Sequence, residues 1–84
     1  MAVDTKSILV EYYAFFRETI GRKGETIVTQ AATARDLFAE IDRKYAFQTD
    51  HEKIRVAVND CIVTWETRLA DGDVVVFLTP FGGG

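Results

Sequence analysis

Five successive apolar residues, Val74-Val75-Val76-Phe77-Leu78, stand directly before the last six, Thr79-Pro80-Phe81-Gly82-Gly83-Gly84. No other stretch constrains the fold as much. A run without a polar position reads as a strand buried on both faces, and Asp71-Gly72-Asp73 supplies a turn ahead of it. The pattern therefore predicts a strand from Asp73 to Leu78 in the middle of a sheet. The residues beyond are of the opposite kind. Three consecutive glycines add no side chain to a core, and each loses more backbone freedom on ordering than any other residue. Such an ending is either a frayed or appended tail or a slim projection launched from the strand. Pro80 stiffens the exit, which suits the projection. Six extended residues reach about 20 Å, enough to thread a narrow channel and offer a terminal carboxylate, on a residue without Cβ, to chemistry in another protein.

The rest of the chain supplies a small body for that projection. With 84 residues, nearly half of them apolar, it makes one domain with a credible core. From Ser7 the residues alternate, with Ile8, Val10 and Tyr12 suited to the core and Leu9, Glu11 and Tyr13 to the opposite face. Ala14 to Ile20 breaks the alternation. Gly21-Arg22-Lys23-Gly24 reads as a hairpin turn and Glu25 to Thr29 as the returning arm. Thr33 followed by Asp36 resembles a capping box with a shorter acid. The helix it opens runs to about Tyr45, with Ala34, Leu37, Phe38, Ile41 and Tyr45 forming one apolar stripe. After a polar loop at Gln48 to Glu52, Lys53 to Val58 alternates as a strand, Asn59-Asp60 forms a tight turn and Cys61 to Trp65 a short strand. The first and last strands are among the most apolar, so pairing them side by side and parallel buries the most surface. The expected fold class is α+β: a β-grasp, or ubiquitin-like, mixed sheet with central parallel N- and C-terminal strands and one main packed helix. It is a single domain over residues 1–84 with a flexible tail at 79–84.

Several function classes fall away. A formal charge of −3 argues against nucleic acid and against anionic membrane surfaces. No apolar run approaches the roughly 20 residues of a membrane span, and no signal-peptide layout opens the chain. The lone Cys61 precludes an internal disulfide framework and fits a reducing compartment, so a soluble, cytoplasmic protein is expected. His51 stands alone in a charged loop and reads as a solvated side chain. Cys61 lies between Asp60 and Ile62, without the basic setting of a low-pKa thiol, and reads as a half-buried strand residue. No Cys/His pair has metal-ligand spacing. Glu11, Glu18, Glu25 and Glu66 form no catalytic pair and read as surface carboxylates. Nothing here equips a self-sufficient enzyme, which leaves the C-terminus as the place for chemistry.

Taken in order, the segments resemble a known family. Ile8-Leu9-Val10-Glu11-Tyr12-Tyr13-Ala14 and Phe16-Arg17-Glu18-Thr19-Ile20-Gly21 are similar to an opening strand and its "A-x-x-R-E-x-x-G" segment. Val56-Ala57-Val58-Asn59 is similar to "V-A-V-N", and Leu69 to Phe77 to "L-x-D-G-D-x-V-x-F". The ending is similar to "P-P-V-x-G-G", with Thr79 in place of the first proline and Gly82 in place of a residue with a side chain. Nearly end to end, the chain resembles the MoaD/ThiS family of ubiquitin-like sulfur carriers, in its molybdopterin synthase small-subunit branch.

That resemblance implies a mechanism. An adenylyltransferase of the ubiquitin-activating type uses ATP to adenylate the Gly84 carboxylate, and a sulfur donor converts it to a thiocarboxylate. Gly82, Gly83, Pro80 and Phe81 thread into the large, catalytic subunit of molybdopterin synthase, where sulfur passes to a pterin precursor. The chain itself binds no cofactor or metal and is a non-catalytic, sulfur-donating subunit. Docking is expected to use Tyr13, Arg17, Phe77 and Leu78, with Leu9 a further candidate. Alternation puts Phe77 and Leu78 on opposite faces, so only one of them can face out. Two alternatives stay open: a carrier or protein modifier serving thiamin, cysteine, a thio-metabolite or lysine conjugation, and an interaction domain with an inert tail.

Overall fold

The opening alternation becomes strand β1, Lys6–Glu11, in the computed structural model, which describes residues 5–47 and 51–79. Ile8, Val10 and then Tyr12 turn inward and are fully buried. Beyond Tyr13 the chain leaves the sheet as a helix, α1, Ala14–Ile20, which inserts Phe16 into the core. Gly21 stops it: at φ 85° it takes the left-handed cap and donates its N–H to the Arg17 carbonyl at 2.8 Å. Strand β2, Gly24–Thr29, then pairs antiparallel with β1, from Glu11↔Gly24 to Lys6↔Thr29. A Cβ on Gly24 would lie 2.8 Å from the Val10 carbonyl oxygen, so the close approach of β1 at this position leaves no room for a side chain. The two glycines expected to share one hairpin turn thus do separate jobs, one ending a helix and one admitting a neighbouring backbone.

Helix α2, Ala34–Tyr45, starts where the capping pattern placed it, with Thr33 Oγ1 accepting the Asp36 N–H at 3.2 Å. The N–H groups of Ala34 and Arg35 donate to the carbonyls of Thr67 and Trp65, each at 3.0 Å, so the loop before the last strand satisfies the helix start. Ala34, Leu37, Phe38 and Ile41 are buried, and Ala46 ends the helix in the left-handed region at φ 52°. After a 3₁₀ turn at His51–Lys53 come β3, Arg55–Val58, β4, Cys61–Val63, and β5, Val74–Leu78. Asn59 and Asp60, at φ 52° and 71°, make the two-residue turn between β3 and β4.

The sheet order is β2-β1-β5-β3-β4, with β1 and β5 parallel and the other neighbours antiparallel. This is the β-grasp arrangement, with the wholly apolar β5 at its centre between β1 and β3. Two expectations need correction. Strand β5 is central but not buried on both faces: Val75 and Phe77 point to the helices, Val74 and Val76 are half-buried, and Leu78 is exposed. An unbroken apolar run marks two faces that avoid water, and α1 and α2 cover only one. Cys61 is exposed rather than half-buried, because it opens a three-residue edge strand straight after the turn.

Glu25 also departs from the surface role its type suggested. Its side chain is 9% exposed. One carboxylate oxygen accepts the hydroxyls of Tyr12 at 2.6 Å and Tyr45 at 2.7 Å. The other faces Arg22 at 3.3 Å and Lys44 at 3.5 Å. One side chain thereby joins β1, β2, α2 and the turn after α1. Burial pushes the carboxyl up, but the two phenol hydrogen bonds and the Lys44 and Arg22 charges outweigh it and hold the group below its usual range.

A folded-state pKa held below the unfolded value contributes stability that is present above about pH 4.3 and is lost as pH falls through the folded value. Glu25→Ala, which leaves the Tyr12 hydroxyl buried without its acceptor, is expected to cost about 1–3 kcal/mol at neutral pH. In urea titrations the wild type and Glu25→Ala should converge toward low pH, and a gap unchanged by acid would refute the linkage. At exposed Ala46, glycine removes the cost of a left-handed alanine, so Ala46→Gly should stabilise by about 0.5–1 kcal/mol, read as an upward shift in thermal midpoint.

Candidate functional site

Where β5 starts decides where the chain leaves the sheet. The Asn59 N–H donates to the Val74 carbonyl at 2.8 Å, and its side-chain oxygen accepts the Val74 N–H at 3.0 Å. Its side-chain amide donates to Asp73 Oδ1 at 2.9 Å, while Asp73 Oδ2 accepts the Ala70 N–H at 2.8 Å. On the other side, Asp71 Oδ1 accepts the Ser7 N–H at 2.7 Å, and Gly72 donates to the Ser7 carbonyl at 2.9 Å. The "V-A-V-N" and "D-G-D" segments are therefore a polar clamp that sets the register of β5 against both neighbours. With Leu9 beside Val74 and Arg55 beside Leu78, the strand can end only at the Leu78 edge. Thr79, half-buried, is the last described residue. The expected tail residues Pro80, Phe81, Gly82, Gly83 and Gly84, and the His51 side chain, lie outside the described residues.

Around that exit the uncovered sheet face is mostly apolar. The register sets Leu9 beside Val74, then Val76 beside Ala57 and Ala57 beside Ile62, then Leu78 beside Arg55. Leu9 is 39% exposed, Leu78 36% and Ile62 67%. Tyr13, 45% exposed, stands where β1 gives way to α1, its hydroxyl 3.4 Å from Glu11 Oε1. The Arg17 guanidinium lies 5.1 Å from the Tyr13 ring centre, and its Nε donates to the Tyr12 carbonyl at 3.0 Å. Arg17 thus braces the strand-to-helix turn from within the chain.

Phe77 does not belong to this face. It is 1% exposed, stacked on Trp65 at 6.0 Å and edge-on to Phe38 at 5.0 Å. Of the pair that alternation set against each other, Leu78 faces out. Ile62 is the residue the sequence reading missed. Cys-Ile-Val on a three-residue strand is too short to show alternation, and only pairing with β3 reveals which way Ile62 points. No group of three or more His, Cys, Asp or Glu side chains gathers among the described residues to hold a metal.

The profile of the ThiS family matches residues 10–84. The chain belongs to the ThiS family. It is 32% identical over 81 residues to the molybdopterin synthase sulfur carrier subunit of Escherichia coli (strain K12), covering 92% of this chain and 99% of that one. Among solved structures it is similar to a Pyrococcus furiosus protein assigned as molybdopterin converting factor subunit 1, at 33% identity and TM-score 0.76, covering 89% of this chain and 98% of that one. It is also similar to a chain from the Helicobacter pylori complex of subunits 1 and 2 of molybdopterin-converting factor, at 25% identity and TM-score 0.65, covering 93% and 99%. In this ThiS-family chain the segments that carried the resemblance are built into the β5 register, with Arg17 bracing the turn after β1.

The division between core and open face is measurable. Phe77→Ala should destabilise by about 3–5 kcal/mol, whereas Ile62→Thr on the open face should cost less than about 1 kcal/mol. Similar denaturation midpoints for the two variants would contradict the inward placement of Phe77.

Proposed function

We propose that this protein is the sulfur carrier subunit of a molybdopterin synthase, working through the carboxylate of Gly84. The observation that carries the reading is the end-to-end likeness to sulfur carrier subunits, joined to a central strand that ends at Leu78 beside an open apolar face. A carboxylate at neutral pH is a poor electrophile. An adenylyltransferase of the ubiquitin-activating type would join the Gly84 carboxylate to the α-phosphate of ATP, releasing pyrophosphate and giving an acyl adenylate with AMP as the leaving group. Sulfide-level sulfur from a donor then attacks the acyl carbon, AMP leaves with the oxygen, and the product is –C(=O)S⁻, a nucleophile that needs no cysteine. Docking of the open face on the large subunit would place that sulfur beside the pterin precursor, so the carrier's contribution is orientation. Gly82, Gly83 and Gly84 suit a channel too narrow for side chains, while Thr79 and Gly82 leave the tail with more freedom to lose on insertion. Leu9, Tyr13, Ile62 and Leu78 form the docking surface, and the chain needs no bound cofactor of its own.

Intact mass spectrometry after incubation with ATP, the activating enzyme and a sulfur donor tests this directly. A gain of about 16 Da, one oxygen exchanged for sulfur, is expected, and none in a variant lacking Gly84. That variant should keep the wild-type melting curve and lose all sulfur transfer in a reconstituted synthase. Full activity without Gly84 would reject the mechanism, and covalent high-mass adducts would instead mark a protein modifier.

A further inference from the structure

We propose that Arg55 selects the partner: the protein receiving the tail must carry an Asp or Glu side chain that enters the groove beside Arg55. The inference rests on the docking reading above and names the chemistry of its partner. Arg55 sits on β3 directly across from Leu78, on the open face and exposed. Its one hydrogen bond among the described residues runs from NH1 to the Glu52 carbonyl, at 3.4 Å. The three ion pairs among the described residues engage Arg22, Arg35 and Lys44, not Arg55. Beside it lies a shallow groove of about 480 Å³ whose lining includes Ile62, Thr64, Trp65 and Glu66. Glu66 is already taken, because Arg35 donates to its Oε2 from both Nε, at 3.1 Å, and NH2. The groove is therefore apolar along its floor, with a cation at its rim that no carboxylate of the described chain answers.

The register makes the consequence unavoidable. A partner that covers Leu78 also covers Arg55, since the two are nearest cross-strand neighbours on one face. A guanidinium taken out of water without a counter-charge costs several kcal/mol. Binding through this face therefore requires a carboxylate opposite it. The stem of an Asp or Glu side chain fits against Ile62 and Trp65 while its head meets Arg55. A partner presenting Lys, Arg or an apolar side chain at that point is rejected.

Calorimetric titration of the full chain into the molybdopterin synthase large subunit of the same organism, at low and high salt, tests the assignment. Arg55→Glu should weaken binding at least about 30-fold, Arg55→Lys by less than about tenfold, and Arg55→Met should lose most of the salt dependence. Thermal melts of all three should match the parent, which separates lost docking from lost folding. Leu78→Asp is the reference for the face itself. If Leu78→Asp abolishes binding while Arg55→Glu binds within about twofold of the parent, the inference is overturned and the docking face stands. If neither substitution alters binding, both are overturned. If the parent self-associates and Arg55→Glu abolishes only the dimer, a second copy is the occupant and the proposed partner is wrong.

Discussion

Asn59 holds both the N–H and the carbonyl of Val74, and that grip is what the rest of the architecture depends on. It sits in a turn whose two residues both need positive φ, so the turn and the grip are built from the same pair of residues. Through Asp73 the clamp reaches Ala70, and through Asp71 and Gly72 it reaches Ser7 at the start of β1. A slip of β5 by one residue would send Phe77 out and Leu78 in, exchanging every side chain between the faces. The polar clamp is thus the device that makes the apolar face and the exit point unique.

On the covered side the small body compensates for its size with aromatic density. Phe16 meets Phe38, Phe47 and Phe77 at centroid distances of 4.9–6.3 Å, and Trp65 stacks over Phe77. The ring cluster draws on α1, α2, the loop after α2, β5 and the loop after β4, so no element can leave without exposing it. Glu25 closes the β1–β2 edge of the same side, where the last turn of α2 comes down on the sheet. The uncovered side has neither feature. Neither helix covers its Leu9, Val76, Ile62 and Leu78, which leaves them open as a docking surface requires.

The legible parts of the fold were those with a long period. Helix α2 was readable because twelve residues show the stripe and Thr33 marks the start. Strand β1 was readable because six residues alternate cleanly. Helix α1 was not, since seven residues give barely two turns, and the glycines after it mimic a hairpin. The inward position of Glu25 was hidden for a different reason. Its partners Tyr12, Lys44 and Tyr45 come from two distant segments, the end of β1 and the last turn of α2, and no local window contains them.

For the site the same division holds. Taken alone, the amino-acid order determined that a β5-like strand is central, that it runs straight into glycines, and that Phe77 and Leu78 oppose each other. Each of these is a property of neighbouring residues. Only the tertiary structure decided which of the two faces out, that Ile62 joins Leu78, and that Arg55 stands beside them with no carboxylate partner among the described residues. Those facts depend on cross-strand register and on which side the helices occupy, and both are set by contacts between residues far apart in the chain.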